Sequence, residues 1–293
     1  MWILLAVVSS VLLGLYDISK KESLVGNNVL TVLFLNTLFC ALLMCPTAIV
    51  DLVRGNTIFD GTLHAHLLIL LKSFIVLSSW ILGYFSIKHL PLTIAGPINA
   101  TRPVMVLIGA LLIFGERLNL MQWGGVILGL TSLYLVSRLG KKEGISARHN
   151  RWLWLAIMSM LMGAISGLYD KYLLRLYQPL QVQAWYTAYQ CIIMGVTVLI
   201  IKRLTPGHDA TPFRFRWTIP LISIFLTCAD VAYFYSLSCD DAMISVISMI
   251  RRGSVLVSFL YGVAVLREKN IRLKLIDLSV LILGLVLLIL GSQ

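Results

Sequence analysis

The sequence predicts an all-helical membrane protein with about ten transmembrane helices in two inverted repeats of five, and its composition, its apolar runs and an internal repeat indicate this. Of its 293 residues, 59% are hydrophobic and 13% are charged, whereas soluble domains average roughly 45–50% apolar and about 25% charged residues. Apolar runs such as 29–50 and 67–87 reach the roughly 20 residues that a helix needs to cross a bilayer. Because the strict alternation of barrel strands is absent, helices are expected.

Ten spans follow from these runs. Their approximate bounds are residues 2–23, 28–50, 65–87, 91–114, 119–137, 152–175, 180–201, 217–237, 242–265 and 274–291. The first is interpreted as a retained helix rather than a secretory signal, because it lacks a basic segment and a small-x-small cleavage site. The five cysteines lack metal-type spacing and are interpreted as small buried hydrophobic residues.

The two halves of the chain resemble each other, which indicates a duplication. The four residues ending in Asp17 recur as those ending in Asp170, displaced by 153 positions. Further matches in the same order are Tyr84-Phe85 with Tyr233-Phe234, Glu116 with Glu268, and 127–130 with 282–285. We expect repeats at 1–140 and 151–293, inserted in opposite directions because each holds an odd number of spans. We also expect spans one and six to meet.

A family resemblance rests on a few of these features. They are the five-plus-five plan, a polar residue late in spans one and six, and the stretch from Pro103 to Gly115-Glu116 followed by Gln122-Trp123-Gly124-Gly125. Together they resemble the EamA family of the drug/metabolite transporter superfamily, over essentially the whole chain. The resemblance implies a ten-helix carrier. The second half departs from it, with Arg251-Arg252-Gly253 at the Pro103 equivalent and Lys274–Leu278 replacing Gln-Trp-Gly-Gly, so ligand contacts need not be symmetrical.

Ionisable side chains within the spans are the first candidates for a substrate site, because inserting a charge in a bilayer costs at least ~2.5 kcal/mol. Asp17 and Asp170 occupy matched positions, and a local pair with the basic residues that follow each of them is the alternative. Arg102 in span four, and Arg251 and Arg252 in span nine, are expected to contact an anionic or zwitterionic group. Pairing with an aspartate across the bundle is their alternative.

Other polar and aromatic side chains complete the predicted substrate site. They are Lys72, Trp80, Tyr84, Asn99, Tyr186, Tyr189, Gln190, Asp230 and Tyr233. Aromatic rings with polar tips suit a cavity wall, although Trp and Tyr also mark membrane interfaces. For Lys72 an aspartate and a substrate remain equal alternatives. Glu116 and Glu268 are interpreted as helix-end charges, and His64 and His66 as loop residues without partners for a metal site.

The sequence contains no motif of covalent catalysis and no nucleotide-binding loop, so an enzyme, a cofactor or metal and ATP hydrolysis by this chain are not expected. We predict a multi-pass secondary carrier of a small organic metabolite in the plasma membrane, working as a monomer or homodimer. Transport would be facilitated, exchanging or coupled to a proton or another ion. Nucleic acid is not an expected partner, despite the net charge of +11. The alternatives are a flippase-like or accessory protein in lipid-linked glycan or envelope assembly and, third, a membrane-embedded enzyme.

The distribution of lysine and arginine predicts an orientation. The odd-numbered connections hold sixteen such residues: Lys20, Lys21, Lys88, Arg138, Lys141, Lys142, Arg148, Arg151, Lys202, Arg203, Arg214, Arg216, Arg267, Lys269, Arg272 and Lys274. The even-numbered connections hold four: Arg54, Arg117, Lys171 and Arg175. Basic residues in short loops stay in the cytoplasm, which predicts a cytoplasmic linker at 138–151 and both termini outside. The family resemblance implies the reverse.

Overall fold

The computed structural model describes residues 1–53, 62–90, 98–99, 102–115, 118–142, 150–204, 212–264 and 271–291. These residues form helices and short connections, and no strand occurs among them. The helices are α1 (Trp2–Leu24), α2 (Val29–Val53), α3 (Leu63–His89), α4 (Arg102–Ile113), α5 (Leu120–Lys142), α6 (Arg151–Leu174), α7 (Pro179–Leu204), α8 (Thr218–Leu237), α9 (Ile244–Arg251), α10 (Ser254–Ala264) and α11 (Ile271–Leu290).

Within the part of the chain that the structure describes, six helices are long and apolar enough to cross a bilayer, namely α1, α2, α3, α6, α7 and α8. This confirms an all-helical integral membrane protein, and these six agree with predicted spans to within a few residues. His64 and His66 lie in the first turns of α3, and their prediction as loop residues is wrong. The Thr62 side chain caps α3 by accepting a hydrogen bond from the Ala65 amide, which starts the helix before both histidines.

Predicted span nine is divided in two. Helix α9 ends at Arg251, α10 begins at Ser254, and Arg252 and Gly253 form the turn between them. The amides of Arg252 and Gly253 bond to carbonyls three residues earlier, at 2.9 Å each, so the turn satisfies its own backbone. Such self-satisfied irregular backbone inside a membrane is tolerated where it is buried in protein or lines a cavity.

The helices pack mainly across the two halves. Helix α1 lies along α8, α3 along α6, α2 along α7 and α5 along α11. Small polar residues bring these helices close: Ser79 Oγ and Ser159 Oγ each donate to the other residue's carbonyl, at 2.8 and 2.7 Å. Among the described residues, α1 and α6 do not form one of the closely packed pairs. The prediction that spans one and six meet is therefore wrong, because each packs against the other half's third helix.

Contacts at the helix ends give the helix directions. Lys21, near the end of α1, donates to the Ile87 carbonyl near the end of α3. His89, the last residue of α3, stacks on Trp152 at the start of α6 with ring centroids 3.7 Å apart. Helix α6 therefore begins where α1 ends, and the two run in opposite directions. We call this the linker end of the bundle; the opposite end, where α1 begins, is the terminus end.

Candidate functional site

An internal cavity of about 160 Å³ lies between the two halves, with walls from α1, α3, α4, α6, α7, α8, α9 and α10. Twelve of the fourteen side chains predicted for a substrate site line it: Asp17, Lys72, Trp80, Tyr84, Asn99, Arg102, Asp170, Tyr186, Asp230, Tyr233, Arg251 and Arg252. Residues far apart in sequence thus converge on one space. Such convergence of polar groups and aromatic rings in one cavity is typical of a small-molecule site.

Two predicted site residues, Tyr189 and Gln190, are not part of the cavity wall. The Tyr189 hydroxyl lies 2.8 Å from His66 Nδ1, and its ring stacks on Trp185 with centroids 5.7 Å apart. Gln190 is buried, and its Nε2 has no hydrogen-bond partner among the described residues. The helical spacing that grouped both residues with Tyr186 did not distinguish the side of α7 that faces the cavity.

The cavity wall also contains residues that were not predicted for the site. The largest group lies along α6, where Ser159, Gly163, Ser166 and Gly167 lead to Asp170 on one stripe. Their spacing of three, four and seven residues is the signal that could have identified them. Tyr16, Lys20 and Phe234 also line the cavity. Lys20 is counted above with the basic residues of the first connection, but it lies within α1, as the predicted span 2–23 implies, and faces the cavity.

Three ion pairs lie in the cavity wall. Lys72 Nζ is 2.6 Å from Asp170 Oδ1, and Lys20 Nζ is 2.7 Å from Asp17 Oδ1. Arg251 Nη2 is 3.0 Å from Asp230 Oδ1. The pair at Asp17 is the local helix pair that we considered, whereas Asp170 pairs across the bundle instead of with the basic residues that follow it.

Aromatic rings surround the basic members of these pairs. Lys72 Nζ lies 4.0 Å from the ring centroid of Phe234 and 4.5 Å from that of Tyr186. The Arg251 guanidinium lies 3.8 Å from the ring centroid of Tyr233. These distances are within the range of cation–π attraction, which strengthens when both groups are desolvated. The cavity thus combines flat apolar surfaces with fixed charges.

Arg102 and Arg252 differ from the other basic residues of the cavity. Neither forms an ion pair among the described residues, and the Nε of each is buried without a hydrogen-bond partner. An uncompensated charge inside a protein is costly, and among the described residues of this cavity Arg102 and Arg252 have no carboxylate partner. Pairing with an aspartate across the bundle was the alternative for Arg102, Arg251 and Arg252, and of these three only Arg251 forms such a pair among the described residues.

Gly163 positions Arg102. A Cβ atom added at Gly163 would overlap the Arg102 guanidinium, so the missing side chain lets this group lie directly against α6. Gly167, one turn further along the same helix, also lines the cavity. A Cβ there would meet only Tyr233 Oη at 3.7 Å and Val106 Cγ2 at 3.8 Å. On the same face of α6, Gly163 is thus in close contact with the Arg102 guanidinium, whereas Gly167 has room for a methyl group.

Polar contacts close the bundle at its linker end. Lys21 Nζ donates to the carbonyls of Ile87 and Leu90, at 2.9 and 3.2 Å. Asn27 forms two bonds with the backbone of Arg214, donating to its carbonyl at 2.7 Å and accepting from its amide at 3.0 Å. Lys21 thus joins the ends of α1 and α3, and Asn27 joins the connection after α1 to the segment that precedes α8, so the Asn27 bonds link the two halves at this end.

Comparison with known proteins agrees with this architecture. Residues 1–138 match the EamA-like transporter family, and no curated protein matches the sequence. The structure resembles 28 solved chains. One of these, described only as "Crystal structure of protein", is 13% identical with a TM-score of 0.66, over 98% of this chain and 93% of that one. At that identity the likeness concerns the fold alone. Residues 1–138 are thus similar to the EamA-like transporter family of the drug/metabolite transporter superfamily.

Proposed function

We propose that this protein is a secondary carrier that moves a small organic metabolite bearing an anionic or zwitterionic group across the plasma membrane. The observation that carries this proposal is the pair of half-buried arginines, Arg102 and Arg252, that face an internal cavity without an acidic partner among the described residues. Charged residues at membrane depth generally face substrate pathways. The twelve predicted residues in the cavity wall form the proposed substrate site.

The proposed architecture is two inverted repeats of five helices, at 1–140 and 151–293. In these repeats α1 corresponds to α6, and α3 corresponds to α8. Exchanging the two halves therefore turns the α1–α8 contact into the α6–α3 contact, and both contacts are observed, which supports a twofold relationship. The opposite directions of α1 and α6 support its inversion. In secondary carriers of this kind the substrate site lies near the midplane, where the repeats meet and a helix is interrupted. The turn at Arg252 and Gly253, beside the cavity, corresponds to such an interruption.

Alternating access requires that the contacts closing one end break while those at the other end form. At the linker end these are the bonds of Lys21 and Asn27 described above. At the terminus end, Lys171 Nζ donates to the Ala242 carbonyl at 3.0 Å, and Tyr169 Oη donates to the Leu68 carbonyl at 3.1 Å. One contact in each set joins the two halves, Asn27 with Arg214 at the linker end and Tyr169 with Leu68 at the terminus end, so either end can act as a gate.

A screen for bound metabolites tests the proposal. Purified protein is heated in the presence of amino acids, sugar phosphates or nucleosides, and a metabolite that raises its melting temperature is then tested for uptake into proteoliposomes. We expect Arg102→Ala to abolish uptake and Arg102→Lys to reduce it, because lysine keeps the charge without the planar fork. Full uptake by both variants in folded protein contradicts the site. Translocation of labelled phospholipid, without metabolite uptake, would support the flippase alternative instead.

A further inference from the structure

We infer that the substrate is a small organic dianion, which brings two negative charges to the cavity beside Arg102 and Arg252. This inference rests on the proposed function and specifies its substrate class. It starts from the charges in the cavity wall. The described wall contains five basic side chains, Lys20, Lys72, Arg102, Arg251 and Arg252, and three acidic ones, Asp17, Asp170 and Asp230.

Three of the five basic side chains form ion pairs with the three aspartates. Each aspartate lies within 3.0 Å of one basic partner, so three pairs are neutral as they stand. Arg102 and Arg252 remain, and arginine keeps its proton in proteins. The described residues of the cavity wall therefore carry an excess of two positive charges.

The net charge of the ligand decides how well it compensates this excess. A zwitterion or a neutral solute adds no net charge and leaves both guanidinium groups uncompensated. A monoanion compensates one of them. Since an unpaired buried charge is far costlier than a paired one, a dianion removes the largest share of that cost.

The break between α9 and α10 adds to the same effect. Ser254, the first residue of α10, lines the cavity two residues after Arg252. The N-terminal end of a helix carries a partial positive charge and favours anions. The helix end and the two arginines therefore both favour a negatively charged ligand. The two arginines are the groups that determine how many charges it carries.

The rest of the cavity limits the body of the ligand. A cavity of about 160 Å³ compares with the roughly 150 Å³ of an apolar protein cavity that holds benzene. Tyr16, Trp80, Tyr84 and Phe234 contribute flat surfaces to its wall. A phosphate monoester or a dicarboxylate with a body of about one ring combines the required charge with a fitting size.

Binding of matched probes to the purified full-length protein tests the inference. Phenyl phosphate carries two charges, methyl phenyl phosphate carries one, and phenol carries none, on one aromatic body. We expect phenyl phosphate to bind at least about tenfold more tightly than its methyl ester, which corresponds to about 1.4 kcal/mol. Succinate and its monomethyl ester form a second pair, which distinguishes dicarboxylates from phosphate monoesters. A preference for the dianion in either pair supports the inference.

Variants assign this preference to the two arginines. In Arg102→Gln and in Arg252→Gln the ratio between dianion and monoanion should fall to about two or less, because the second charge has lost its counter-ion. Arg252→Lys keeps the charge and should keep the preference for the dianion. This variant still tests the inference if a glutamine variant does not fold. Arg151→Gln, an exposed basic residue outside the cavity, should retain the tenfold ratio.

The outcomes separate this inference from the proposed function. Equal affinity for dianion and monoanion in the wild-type protein overturns the dianion inference while the carrier stands. A ratio in Arg102→Gln and Arg252→Gln that is unchanged from the wild-type value does so too. Uptake of a zwitterionic metabolite with no dianion binding does the same. If no small solute binds or is taken up, the carrier proposal fails as well.

Discussion

Lys72 of α3 and Asp170 of α6 form an ion pair across the two halves of the molecule, with Nζ and Oδ1 2.6 Å apart. Their side chains are 1% and 8% exposed, so neither charge has access to bulk solvent. The matched aspartate of the first half, Asp17, pairs instead with Lys20 of its own helix and is 32% exposed. Two carboxylates at equivalent positions of the repeat thus have different structural roles.

Asp170→Asn should therefore destabilise the protein much more than Asp17→Asn. Removing one partner of a buried pair leaves the other charge uncompensated and costs about 3–5 kcal/mol, whereas a partly exposed helix pair contributes about 0.3–0.5 kcal/mol. Chemical denaturation in detergent micelles measures both losses. Equal losses for the two variants would show that the Lys72 pair does not hold the halves together.

A double replacement separates charge from packing at the same place. In Lys72→Met with Asp170→Leu, both charges are absent and the apolar volume is largely retained. We expect this variant to recover most of the stability that Asp170→Asn loses, because a buried pair replaced by apolar residues is often neutral or stabilising. Denaturation under the same conditions measures the recovery. A double variant as unstable as the single one would contradict this account.

Gly163→Ala should impair transport while leaving the fold intact. The added methyl group occupies the place of the Arg102 guanidinium, and the end of a flexible side chain moves more easily than backbone. We expect an uptake loss of roughly tenfold or more, because displacing a reacting or binding group by about 1 Å can cost on the order of a hundredfold. Uptake into proteoliposomes and the melting temperature measure the two properties separately.

Gly167→Ala is the matched control for this variant. It adds the same methyl group to the same helix and the same cavity, at a position where the nearest atoms lie 3.7 and 3.8 Å away. It should retain the Arg102 position and most of the uptake. If both alanine variants lose uptake equally, general narrowing of the cavity explains the loss and the role assigned to Gly163 is wrong.

Gly14→Ala should lower stability, although Gly14 is the repeat equivalent of Gly167. A Cβ at Gly14 would lie 2.9 Å from the Ser254 carbonyl oxygen and closer still to Val257 Cβ, so α10 must move away from α1. Overpacking of this kind costs about 1–3 kcal/mol. The free energy of unfolding of Gly14→Ala, compared with that of Gly167→Ala, checks this. A smaller loss for Gly14→Ala would contradict the packing that the structure shows.

Sequence patterns predicted the helices well, because apolar runs of bilayer length admit few other structures. The packing partners were not predictable in this way. The motif shared by Asp17 and Asp170 suggested that spans one and six meet, yet α1 lies on α8 and α6 on α3. Small side chains such as Ser79 and Ser159 decide these contacts, and they give a weak signal in a single sequence.

The candidate site was predicted in part for a similar physical reason. Ionisable groups within apolar runs are conspicuous, so Arg102 and Asp230 were identified directly. Lys20 was counted with the first connection in the charge count, although the predicted span 2–23 contains it and α1 ends at Leu24. Gly163 carries no functional group, and its importance depends on the Arg102 side chain that packs on it, which only the three-dimensional arrangement reveals.

The last prediction concerns orientation, for which the charge rule and the family resemblance disagree. Lys20 faces the cavity and Lys21 bonds to the end of α3, so both are left out of the count. Without them, fourteen basic residues of the odd-numbered connections face four of the even-numbered ones. The charge rule then still places the linker end in the cytoplasm and both termini outside.

Labelling of single cysteines in intact cells decides this orientation. In a background with the five native cysteines replaced by alanine, one cysteine is placed at Ser146, in the linker outside the described residues. Another is placed at Gln178, an exposed position in the α6–α7 connection at the terminus end. We expect a membrane-impermeant thiol reagent to label Gln178→Cys in intact cells and Ser146→Cys only after permeabilisation. The opposite pattern would place the linker outside, as the family resemblance implies. The folded state of both variants is checked by their labelling in permeabilised cells and by uptake.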